Sequence, residues 1–147
     1  MRRYVKDVLF KHPDKLLSMV LWLVAVHSIT IGLALIAQPA VLMELAGFSS
    51  ECERFFPAQG GVFHLLMAVA YLMGALDVTK YHYLIVFAIL VKAVATFFLT
   101  IYCFAVEFKW VFLLSGIGDC VMGFIIFTAL QYYLHFQTKH NSNGRIK

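Results

Sequence analysis

From Tyr83 to Val106 the chain runs through about two dozen residues that carry a single charge, Lys92. A helix of that length covers roughly 36 Å, enough to cross a hydrocarbon core of about 30 Å. A lysine near its centre costs about 2.5–3.5 kcal/mol on insertion scales, and more if it faces lipid. Such a group must reach the interface, lose its proton or find a partner, and from mid-span the interface is far. One acid lies at similar depth: Asp119, inside the next apolar stretch, VFLLSGIGDCVMGFIIFTAL. A Lys92–Asp119 pair on facing helices is therefore expected.

The rest of the chain is of the same kind. Hydrophobic residues make up 62% of it and charged ones 14%, and the mean hydropathy is +0.83. Soluble domains carry about 25% charge. A chain of 147 residues with this composition reads as one integral membrane domain covering 1–147, with little room for a soluble domain beside it. The expected fold is all-α: a four-helix transmembrane bundle with spans at about 16–37, 60–76, 83–106 and 110–134. Pro39 stops the first span, and PAVLMELAG in the first outer loop reads as a short interfacial helix closed by Gly47. Residues 1–13 are expected to be interfacial or mobile, since basic groups alternate there with Val5, Val8, Leu9 and Phe10. The first apolar run is too long for a cleavable leader, and residues 135–147 read as a mobile tail.

Charge sets the orientation. Arg2, Arg3, Lys6, Lys11, Lys15, Lys80, Lys139, Arg145 and Lys147 fall on one side, against Arg54 and Lys109 on the other. The positive-inside rule then puts both termini in the cytoplasm, in an inner (plasma) membrane with multi-pass topology. The same placement, at the ends of apolar spans, argues against nucleic acid as a partner and for membrane lipids.

Helical rise places His27, Lys92 and Asp119 at a common depth of roughly 14–16 Å, with His64 nearer the outer surface. Small and polar neighbours suggest inward faces: Ala88, Lys92, Thr96 and Thr100 on the third span; Ser115, Gly116, Asp119 and Gly123 on the fourth. On the second span His64, Ala68, Tyr71 and Ala75 align, and on the first His27 shares a side with Thr30 and Ala34. His27, His64, Lys92 and Asp119, with Tyr71 in the wall, are the candidate ligand-binding set. The competing reading is that Lys92 and Asp119 only register two helices.

Other chemistries find less support. A bis-histidine haem needs two histidines at one depth, whereas His27 and His64 differ by about 8 Å of rise. His12, His82 and His135 lack the close spacing of a metal site, so no metal is expected. Cys52 and Cys103 both lie toward the outer side and could pair, but three cysteines cannot all pair and Cys120 sits deep in a span, so no disulfide framework is expected. There is no nucleophile–base arrangement, phosphate loop or nucleotide fingerprint.

Three stretches together resemble a known group: AQPAVLMELAGF closing the first span, FFPAQGGVFHLLMAVAYLMGA in the second, and GIGDCVMGFIIF with its central aspartate in the last. Across roughly residues 14–134 the chain is similar to the DoxX-like small four-helix bacterial membrane proteins, including the BphX-like families. That resemblance implies a four-helix bundle of largely unknown activity. It also points to relatives that look like membrane subunits of quinone-linked oxidoreductases or sit beside catabolic genes. No catalytic motif carries over, and Lys92 matches no family role.

The resulting expectation is a binding or accessory membrane protein rather than an enzyme. Its polar pocket would take a lipophilic ligand, a quinone or a lipid, with Lys92 and His27 donating to a carbonyl; no other cofactor is expected. The rivals are a proton-coupled carrier or relay built on Lys92–Asp119 and a purely structural partner subunit. Four helices are few for alternating access, so a carrier would imply a homodimer or a larger membrane complex.

Overall fold

The computed structural model describes residues 12–47 and 54–144. The expected N-terminal interfacial segment and Cys52 lie outside them. Five α-helices and no strand occur among the described residues: α1 Pro13–Ala37, α2 Ala40–Leu45, α3 Phe55–Leu76, α4 His82–Ala105 and α5 Trp110–Gly144. Four of them, all but α2, are long and apolar enough to cross a membrane. The protein is an all-α, multi-pass membrane protein built as a four-helix bundle.

Local chemistry explains most helix ends. Pro13 opens α1, where its missing N–H costs nothing, and Asp14 stands in the first turn beside the positive end of the dipole. α1 stops at Gln38, which takes a left-handed conformation (φ 46°) before Pro39. That unfavourable backbone is tied at both ends. The Gln38 N–H donates to the Ala34 carbonyl at 2.9 Å, and its side-chain amide donates to the Arg54 carbonyl at 2.6 Å, closing the mouth of the loop between α1 and α3. α2 follows as the short helix read from PAVLMELAG, with no buried residue. Between α3 and α4 the Asp77 carboxylate accepts the Lys80 N–H at 2.9 Å, a turn made by the side chain itself.

Two boundaries differ from the sequence reading. α3 begins at Phe55 rather than Gly60, because Pro57 falls in the first turn, where a backbone donor would have had no partner. α5 runs on to Gly144 rather than ending near Leu134. Nothing between breaks it: no proline or glycine intervenes, Thr138 donates to the Leu134 carbonyl at 3.0 Å, and Gln137 donates to the Tyr133 hydroxyl at 2.8 Å.

The four long helices form a ring in chain order, alternately up and down. α1 packs most extensively on α3, and α4 on α5; α1–α5 and α3–α4 are the narrower seams. Among the described residues no backbone approach joins the diagonal pairs α1–α4 and α3–α5. The α1–α3 seam is closed by glycines. A Cβ built on Gly61 would lie 2.6 Å from the Gly32 carbonyl oxygen, and one on Gly32 would lie 2.9 Å from that of Gly61. The two backbones touch there, and no side chain fits between.

The apolar core is not centred. Leu17, Leu21, Val24, Ala25, Tyr71, Ala75, Val78, Ile85, Ala88, Ile126, Ala129, Leu130 and Tyr133 form one cluster. All belong to the end where α1 and α4 begin and α3 and α5 turn past. Toward the other end, small residues bring the helices together in pairs, as at Gly32–Gly61 and at Gly116 against Leu99. The outward faces are almost wholly apolar: Phe97, Phe104 and Phe124 are about two-thirds exposed. In water such a surface would aggregate; in lipid it is solvated.

Candidate functional site

The buried charges sit where that off-centre core ends. Ile85, Ala88 and Lys92 follow one another along the buried side of α4, and the lysine is 4% exposed. Gly123 on α5 makes room for it, since a Cβ there would come within 3.1 Å of the Lys92 Cβ. The ammonium donates to Oδ1 of Asp119, itself buried, so the expected pair forms between neighbouring helices. The lysine's backbone is bonded as well: Thr96 donates its hydroxyl to the Lys92 carbonyl at 2.8 Å.

Tyr71 completes the cluster from α3, the other neighbour of α4 in the ring. It is 1% exposed, and its ring centroid lies 5.9 Å from Lys92 Nζ. That distance allows the negative face of the ring to support the cation as a second, weaker partner. The Lys92–Asp119–Tyr71 cluster thus links three of the four spans. On α1, Ser28 is 1% exposed and its hydroxyl has no hydrogen-bond partner among the described residues. Ser28 was not singled out from the sequence. Its signal was there in the spacing Leu17, Leu21, Val24, Ser28, which keeps one side of α1 against its neighbours.

The two histidines stand apart from this core. His64 is half-buried on α3, within electrostatic reach of Lys92, Asp119 and His27. His27 is exposed. One residue is about 100° of helix, so with Val24, Ala25 and Ser28 turned inward His27 points outward. Of the expected set, Lys92 and Asp119 are in direct contact, His64 is within electrostatic reach of both, and His27 is exposed.

The space that reaches the pair is a groove of about 460 Å³ between α4 and α5, open on the lipid-facing side. Ile89, Ala93, Thr96, Phe97 and Thr100 line it from α4, and Asp119, Cys120, Gly123, Phe124 and Phe127 from α5. Asp119 is the only charged residue in the lining, and His27, His64, Tyr71 and Lys92 do not border it. Three phenylalanines wall a space whose one ionised group is a carboxylate already held by a lysine behind it. A second cleft, of about 560 Å³, lies far from the pair, where α1 begins, between Asp14, Lys15, Ser18, Trp22, Asp77 and Thr79.

Among the described residues no three His, Cys, Asp or Glu side chains gather as a metal set. Cys103 is buried as a free thiol, with its sulfur 3.8 Å from the Lys109 carbonyl. No protein-family model, curated protein or solved structure matches the chain.

Proposed function

We propose that this protein is a ligand-binding or accessory subunit of the bacterial inner membrane, with both termini cytoplasmic, of the DoxX-like group. Its ligand is lipophilic, a quinone or a lipid, and lies in the α4–α5 groove with its polar end at Asp119. The observation that carries the reading is the groove itself. A space of about 460 Å³ falls in the range of small-molecule sites, and its composition, apolar walls around a few polar groups, is the usual one. The buried charges have a role in this scheme: Lys92 pairs with Asp119, so that neither stands as a lone charge in the membrane interior. The orientation rests on the distribution of Lys and Arg, and the group on the three motif stretches.

Native mass spectrometry of protein released from lipid discs tests the reading, with Ala93→Trp as the control that fills the groove and leaves the ion pair in place. Wild type should carry a bound lipophile that Ala93→Trp lacks. Identical adduct patterns for the two proteins would remove the groove as a ligand site.

A further inference from the structure

Resting on that reading and narrowing it, we propose that the ligand's polar end is a hydrogen-bond donor, a hydroxyl on an otherwise neutral lipophile such as a quinol or a hydroxylated lipid, which excludes an oxidised quinone or an ether that can only accept. The argument is a count of donors and acceptors facing the groove. The Asp119 carboxylate can only accept. Lys92 occupies its Oδ1, and among the described residues Oδ2 takes no hydrogen bond. Thr96 and Thr100 also line the groove, but their hydroxyl protons are already committed to the Lys92 and Thr96 carbonyls, at 2.8 and 2.7 Å. What they offer a guest is lone pairs.

The strong donors nearby are on the wrong side. The Lys92 ammonium, which a carbonyl head would seek, does not line the groove, and neither does the Tyr71 hydroxyl. The one donor left in the lining is the thiol of Cys120, which is weak. A carbonyl entering here would shed its hydration and face acceptors. A hydroxyl would meet the Asp119 carboxylate, whose Oδ2 has no other partner among the described residues and which is one of the stronger acceptors available in hydrocarbon. A cationic head gains less, because Lys92 already neutralises Asp119 and a second cation at that depth carries its own insertion cost.

Two photoreactive probes that differ by one methyl group decide the matter: hexadecanol with a mid-chain diazirine, and its methyl ether. Each is incorporated at the same mole fraction into lipid discs holding the wild-type protein, then photolysed, and adducts are mapped by peptide mass spectrometry. The alcohol should label residues 89–100 and 119–127 about tenfold or more above the ether, the ratio expected when one probe bonds a charged acceptor and the other cannot. In the Lys92→Met/Asp119→Leu double variant that advantage should vanish. Equal labelling of the groove by both probes in wild type would overturn the donor inference and leave the groove as a ligand site. Labelling by neither above the level of Ala93→Trp would overturn both. Retention of the alcohol's advantage in the double variant would overturn Asp119 as its acceptor.

Discussion

Lys92 and Asp119 stabilise the bundle mainly by not leaving one another alone. Either charge without its partner would remain in a medium that solvates it poorly, which is why breaking a buried pair costs about 3–5 kcal/mol while replacing both members is often nearly neutral. Lys92→Met and Asp119→Leu should each lower the unfolding free energy in mixed detergent by that amount, and the double variant should lose much less. Three equal losses would mean that pairing is not what retains these groups. The pair was legible in the sequence because a lone charge in an apolar span demands an answer and only one opposite charge lay at its depth. The neighbours of the pair were harder to read. Steps of four residues carry a helix about 40° past a full turn, so Lys92, Thr96 and Thr100 drift from buried through half-buried to exposed. A single step of about 100° separates exposed His27 from buried Ser28, a distinction that a uniformly apolar helix does not advertise.

At the scale of the elements, contact follows a 3.5-residue repeat. Buried positions of α5 include Gly116, Asp119, Gly123, Ile126, Leu130 and Tyr133, in alternating steps of three and four, with Ala129 beside Leu130. That seam is the signature of nearly parallel helix axes. In the sequence a stripe of four stands out on α4, while the row on α3 (His64, Ala68, Tyr71, Ala75) already alternates fours and threes. Glycines within seams have separable roles. Gly61→Ala would drive a methyl into the Gly32 carbonyl, so α1 and α3 must part; a loss of about 1–3 kcal/mol is expected from thermal unfolding. Gly118→Ala is the matched control, since its Cβ would meet nothing within 4 Å, and it should cost nothing. At the core end Tyr133 ties the α3–α4 turn to α5, its hydroxyl bonded to Thr79 and Gln137 at 2.8 Å each. Tyr133→Phe should cost about 1 kcal/mol, read from the same unfolding curves, without moving the groove.

For the molecule as a whole, the count and class of spans were plain from composition, because length and hydropathy alone force helices of this kind. How the helices are arranged around the ring was not, since every face is apolar and glycine contacts decide the neighbours. Orientation is a whole-chain property carried by the basic residues at span ends. Cys52, beyond the described residues, belongs on the outer side in this scheme. An impermeant thiol reagent should modify it in intact cells under reducing conditions; modification only after the membrane is opened would reverse the assignment. Finally, the groove at Asp119 opens sideways between Phe97, Phe124 and Phe127. A guest that enters from that side comes from the bilayer, already dissolved in two dimensions. Its occupancy is then set by its mole fraction among the lipids, so adding buffer should leave binding unchanged, while adding lipid should dilute it away.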